Sequence, residues 1–396
     1  MTKSENYIRV GTTLYKVVYQ PCINGNVKKY IPWNYSTLKQ DYGRGHLPHI
    51  ATYDGFCVMP DHINYQSDIN GFLNLYQPIE YEPQEGEFPN IRKLVNHIFN
   101  EQYDYGMDYL QLLYLKPKQK LPILLLVSEE RNTGKTTFLN FLKIIYGDNV
   151  TYNTNENFRS QFNSDWAGKL LIVVDEVLLC RREDSERLKN LSTATTYKME
   201  AKGKDRDEID FFGKFVLCSN NESLPVIIEA GETRYWVRKI KKLTQDDTAF
   251  IEKVKKEIPA FLYFLQHRSM ATKEESRMWF KPTLLKTEAL NRIIRNNRDR
   301  VESDANAMII DIMDSVGVDS FSFCIDDLCM LLSSTHSKVE KHQVRKLIQD
   351  IWKLNPACNS LTYKTYIVNF SNQIKYEEIK RVGRYYTITR AQIENL

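Results

Sequence analysis

Residues 132–137 read Asn132-Thr133-Gly134-Lys135-Thr136-Thr137, which sets a glycine, an ammonium and hydroxyls side by side. A glycine lets backbone approach a phosphate and present an N–H, lysine neutralises the outer phosphates, and threonine can ligate a divalent cation. So short a match recurs by chance in a chain of 396 residues, and the flanking sequence decides its meaning. Residues 123–127 before it form an unbroken apolar run, the pattern of a parallel strand buried on both faces. After it, Phe138, Phe141, Leu142 and Ile145 recur at helical spacing, and Gly147 suits a helix end. Strand, loop and helix in that order aim backbone N–H groups and a helix N-terminus at one point, where phosphates bind.

Two more apolar runs end in polar groups. "KLLIVVDEV" (169–177) closes on Asp175 and Glu176, and "KFVLCSNN" (214–221) on Ser219, Asn220 and Asn221. Ligands of open α/β sheets bind outside the carboxyl ends of the strands. There one carboxylate can hold Mg²⁺ through water and a second can orient an attacking water. One position departs from the usual loop: Glu129 stands where its first glycine is expected. A left-handed φ at a glutamate would cost ~1 kcal/mol or more. Its charge must also turn away from phosphate, toward Arg131 or solvent. The expectation is a competent site with a reshaped loop entrance.

Together these residues resemble the superfamily 3 helicases of the AAA+ class, most closely the helicase halves of phage and mobile-element primase–helicases. The likeness spans about residues 88–243. It implies an α/β fold with an AAA+ P-loop NTPase core, in which Asn132 to Thr137 bind ATP and Thr136 and Asp175 hold Mg²⁺. Glu176 would then activate water, and Asn220 would sense the γ-phosphate. The segment "LKNLSTATTYKMEAKGKDRDEIDFFGKF" fits the family's B′ region, whose hairpin enters the pore of a ring. That places Lys202 and Lys204 on the DNA backbone, which lysines grip without reading sequence. "EAGETRYWVRKI" resembles the arginine-bearing segment. Arg234 is the first arginine-finger candidate and Arg238 the second; the alternative for Arg234 is an internal salt bridge to Glu229 or Glu232.

The remaining chain is read less specifically. Residues 1–85 alternate and turn like a β-rich region. Residues 86–120 read as helical, with Ile91, Leu94, Val95 and Ile98 on one face, for oligomerisation or for core packing within the subunit. The P-loop core runs over 121–243, and a helical connector over 244–300. The connector's basic stretch (Lys281, Lys286, Arg292, Arg295, Arg298, Arg300) is a solvated face or a DNA contact. Residues 301–396 suggest a winged-helix-like domain, with Lys341, Arg345 and Lys346 on its third helix. Two His/Cys groups (His46, His49, Cys57, His62; Cys324, Cys329, His336, His342) lack the spacing of a structural zinc site.

Composition bounds the rest. Fifty-four basic and 50 acidic residues leave a net charge of +4, too small to announce a nucleic-acid binder by itself. No apolar run approaches the ~18 residues that span a bilayer, so no membrane partner is expected. Seven scattered cysteines argue against a disulfide framework and for a reducing cytoplasm, that of a bacterial host if the resemblance holds. The expected activity is an ATP-dependent replicative helicase, a homo-hexamer moving 3′ to 5′ on single-stranded DNA beside a separate primase or polymerase. An initiator or loader that hydrolyses ATP without unwinding, or a non-enzymatic DNA scaffold with an inactive site, are the alternatives.

Overall fold

A computed structural model describes residues 7–22, 25–43, 50–160, 166–179, 181–199, 207–229, 231–243, 247–335, 339–369 and 375–394. Strands β1 (Tyr7–Val10), β2 (Thr13–Cys22) and β3 (Gly25–Pro32) form an antiparallel meander. Helix α1 (Tyr35–Tyr42) covers one end of a face of it by packing Leu38 against Tyr7 and Leu14. β4 (Ala51–Tyr53) joins β1 in parallel, and β5 (Gly55–Cys57), β6 (Asp68–Ile69) and β7 (Phe72–Asn74) make a second small sheet.

His62 fastens this region to the rest of the chain. Its Nδ1 donates to the Tyr114 carbonyl at 2.8 Å, its Nε2 accepts from the Tyr76 hydroxyl at 2.6 Å, and its ring stacks on Tyr114. Helix α2 (Pro89–Phe99) buries Ile91, Leu94, Val95 and Ile98, and the Glu257 carboxylate accepts from the backbone N–H groups of Asn90 and Ile91 at its first turn. α3 (Tyr103–Leu115) is buried from Gly106 to Tyr114. A side chain at Gly106 would meet the Phe99 ring at 2.3 Å, so glycine permits the close approach of these helices. The apolar face of 86–120 is thus covered within the chain, in the same core as the central sheet.

That sheet follows from the apolar runs. β8 (Ile123–Val127) leads into α4 (Lys135–Tyr146), β9 (Val150–Asn153) and the short α5 (Asn155–Arg159). β10 (Leu171–Val174), α6 (Arg182–Thr193), β11 (Thr196–Met199), β12 (Asp207–Asp210), β13 (Lys214–Ser219) and β14 (Tyr235–Lys239) come next. Five strands pair in the order β14-β8-β13-β10-β9, every neighbour parallel. Leu124 and Leu126 point into a core shared with α2, α3 and α4; Ile123, Leu125 and Val127 point into another, with Phe158, Trp166 and Leu188. The architecture is mixed α/β around a parallel sheet covered on both faces. β11 and β12 stand apart as an antiparallel pair.

After α7 (Phe250–His267), α8 (Glu288–Val316) runs unbroken for 29 residues. Leu290 and Ile293 belong to the sheet's core, whereas Ala305, Ile309 and Ile312 belong to a C-terminal one. The boundary drawn between 300 and 301 therefore falls inside a helix. Its polar middle interrupts the apolar period but contains no glycine or proline to stop it. Beyond it lie β15 (Ser320–Phe323), α9 (Ile325–Thr335), α10 (Lys341–Lys346), β16 (Leu361–Val368), β17 (Tyr376–Gly383), β18 (Tyr386–Thr389) and α11 (Arg390–Glu394). β16 pairs with β17, and β15 with β18, both antiparallel. Among the described residues no helix is long and apolar enough to cross a membrane, and no three His, Cys, Asp or Glu side chains group to hold a metal. His46, His49 and His336 lie outside the described residues.

Burial lowers the His62 pKa to about 4, outweighing the Tyr114 carbonyl that favours its proton. The unfolded chain therefore binds the extra proton first. Stability is full above pH ~6.5 and falls by up to about 3 kcal/mol as pH drops toward 4. Urea melts at pH 7.0, 5.5 and 4.5 should show this loss, and His62→Gln should flatten it.

Candidate functional site

Ser128 leaves β8 at the carboxyl edge of the sheet, donating its backbone N–H to the Ser219 carbonyl at 3.1 Å. The chain then turns through left-handed residues at Asn132 (φ 58°) and Gly134 (φ 81°). Gly134 caps α4, so the N–H groups at the start of α4 face the loop's hollow. Glu129 has no positive φ, and the strain expected there is absent. Asparagine bears the left-handed step at low cost. Glu129 does not turn toward Arg131. Its carboxylate pairs with Arg292 of α8 at 3.2 Å, while its backbone N–H donates to Glu222 at 3.0 Å.

The loop encloses Lys135. Its ammonium donates to Asn220 Oδ1 at 2.9 Å and to Thr133 Oγ1 at 3.3 Å, and is also bonded to Ser128 Oγ. Burial lowers its pKa, against the raising fields of Cys218, Asp175, Glu222 and Glu176. Thr136 Oγ1 lies 3.3 Å from Asp175 Oδ2. Glu176 follows with φ 57° and an exposed side chain; its own N–H bonds Asp175 Oδ1 and its carbonyl accepts from Asn155. A glutamate held left-handed stores about 1 kcal/mol of strain or more, a feature that gathers at functional sites. Arg131, Asn132, Thr133, Gly134, Lys135, Thr136, Thr137, Asp175, Glu176 and Asn220 all line one cavity of about 530 Å³. Three strand ends thus bring a cation, two carboxylates, an amide and a helix N-terminus together. This set can neutralise a phosphate chain, ligate a divalent cation through oxygen and orient a water.

Arg234 is not in this group. Its carbonyl accepts from Ile123 N–H at the opposite end of β8, about 16 Å away along the strand. Its guanidinium bonds Glu232 at 2.9 and 3.0 Å. Burial works to raise the Glu232 pKa, but Arg234 and Lys189 outweigh it and hold it below the ordinary value. Arg238 is buried and bonds Glu101 and Gln102 at 2.7 Å and the Phe99 carbonyl at 2.7 Å, closing the C-terminus of α2. Lys202 and Lys204 lie outside the described residues. Arg292, read with the basic stretch, is taken up by Glu129 and Glu222.

Three supports escaped the sequence reading. His97 Nε2 bonds the Thr133 carbonyl at 2.9 Å, and Leu243 N–H donates to the Asn132 carbonyl at 3.0 Å. Glu222, 4% exposed, accepts from Glu129 N–H, Lys239 (2.8 Å) and Arg292 (3.1 Å). An acid two residues past Asn220 was the available signal for Glu222; nothing marked His97. His97, Gly134, Thr137, Leu243, Phe250 and Arg292 also line a larger cavity of about 740 Å³ beside the loop. We expect Glu222→Ala to cost about 1–3 kcal/mol of stability by removing a buried acceptor with three donors. Glu129→Gly should cost about 1 kcal/mol or less, because its ion pair is exposed. Thermal melts of the two variants check both.

Sequence comparison finds residues 126–239 similar to a family described as "Family of unknown function (DUF5906)". No curated protein sequence matches. Among solved structures, the apo structure of NrS-1 C terminal region (305-718) is similar at TM-score 0.56 and 16% identity, covering 96% of this chain and 95% of that one. The A form apo structure of NrS-1 C terminal region-CTR is similar at TM-score 0.55 and 17% identity, covering 96% and 94%. At such identities the likeness is one of fold, and it extends along nearly the whole of both chains.

Proposed function

We propose that this chain is an ATP-driven DNA helicase of a phage or mobile element, built on an AAA+ P-loop core and working as a homo-hexamer on single-stranded DNA. The observation that carries the reading is the meeting of Lys135, Thr136, Asp175, Glu176 and Asn220 around one cavity at the carboxyl edge of a parallel sheet. MgATP, when bound, would supply the phosphoryl group transferred to water. Lys135 neutralises the outer phosphates, and Thr136 with Asp175 provides the oxygen set suited to Mg²⁺. Glu176, exposed beside them, accepts the proton of the attacking water, and Asn220 meets the γ-phosphate. The neighbouring cavity under His97, Leu243 and Phe250 offers apolar surface for the base.

Arg234 lies away from its own subunit's phosphate site and is held there by Glu232; in a ring it would leave that carboxylate to reach the adjoining subunit's γ-phosphate. Lys202 and Lys204, between β11 and β12, grip the DNA backbone within the ring. The segment after α8 serves as a winged-helix-like unit, and a primase or polymerase acts from another chain in the cytoplasm of the bacterial host.

The test is the ATPase rate with and without single-stranded DNA, beside a mass determination with nucleotide. Lys135→Ala should lower turnover by ~10²-fold or more without loss of fold. Turnover unchanged by Lys135→Ala would sink the site assignment, and a fully active monomer would sink the role of Arg234.

A further inference from the structure

We propose that the N-terminal sheet and α1 form a second binding surface for single-stranded DNA, independent of the nucleotide site and of Lys202 and Lys204. The chain as a whole is nearly balanced, 54 basic against 50 acidic residues. Residues 7–43 are not: Arg9, Lys16, Lys28, Lys29 and Lys39 face one acid, Asp41. Some exposed lysines elsewhere hold carboxylates, as Lys253, Lys341, Lys364 and Lys375 do. Among the described residues none of these five cations has a carboxylate partner; three lie over aromatic rings instead.

The register gathers three of them, while Lys28, opposite Tyr19, lies on the other face and Lys39 on α1. Tyr7 pairs with Lys16, Lys16 with Ile31, and Val18 with Lys29, so these residues share one face, together with Arg9 opposite Leu14. Leu38 of α1 covers only the end of that face at Tyr7 and Leu14. Ile31 is left 41% exposed. The Lys16 ammonium lies 4.5 Å from the Trp33 ring, and Lys39 lies 5.0 Å from the ring of Tyr35, itself 48% exposed. The result is a face whose cations have no carboxylate partner among the described residues and lie among exposed apolar and aromatic groups. Phosphates are gripped by such cations, and unpaired bases stack on such rings whatever their sequence. A duplex hides the faces of its bases, which makes the single strand the occupant.

The experiment uses the full chain without nucleotide, so its result stands apart from whether the ATPase reading holds. Anisotropy of a labelled oligo-dT of about 20 nucleotides, longer than one sheet platform covers, reads the affinity across salt concentrations. The triple variant Arg9→Gln/Lys16→Gln/Lys29→Gln should bind at least about tenfold more weakly, with the salt slope reduced by about 2 for three lost phosphate contacts. Tyr35→Ala should weaken binding about fivefold or more and leave the slope unchanged. Both should melt like the parent protein and keep its DNA-free ATPase rate. Unchanged affinity in the two variants, or equal affinity for a blunt duplex of the same length, would overturn the proposal.

Discussion

Leu124 and Leu126 of β8 face one hydrophobic core while Ile123, Leu125 and Val127 face another. A strand enclosed on both sides cannot carry an unpaired polar side chain along its length, because each would cost roughly 2–7 kcal/mol. Polar chemistry is driven to the strand ends. Parallel pairing then puts the carboxyl ends of β8, β10 and β13 on the same edge. Lys135, Asp175 and Asn220, separated by up to 85 residues in sequence, become neighbours for this reason alone. The same constraint sends Arg234, at the start of β14, to the opposite edge.

The loop itself is shaped less by its own sequence than by what surrounds it. His97 and Leu243 take up two of its carbonyls, and Glu222 takes the Glu129 N–H. With the left-handed steps assigned to Asn132 and Gly134, no glycine is needed at 129. The glutamate there becomes a tether to α8 through Arg292. That helix continues into the C-terminal core, so one continuous element touches both the loop entrance and the last quarter of the chain. At 29 residues its length is about 43 Å.

Much was legible from local pattern. The apolar runs 123–127, 171–174 and 214–219 are strands, the spacing after Gly134 is a helix, and the polar strand ends do converge. Such runs are legible because a doubly buried strand leaves no freedom in its composition. The continuity of α8 was not legible, since its middle changes partners and its apolar period lapses there. Nor was the fate of the cations. A lysine or arginine reads the same in sequence whether it binds a carboxylate, as Arg292 does, closes a helix, as Arg238 does, or lies over a ring, as Lys16 does.

Local chemistry along the chain was therefore enough to mark the doubly buried strands and the helix after Gly134, for these follow from burial period within a few residues. Only the tertiary structure decided that Glu129 is freed from a left-handed turn, that Glu222 and His97 support the loop, and that Arg234 lies an entire strand length from Lys135. Those outcomes depend on partners tens to more than a hundred residues away, and no local pattern encodes which distant group arrives.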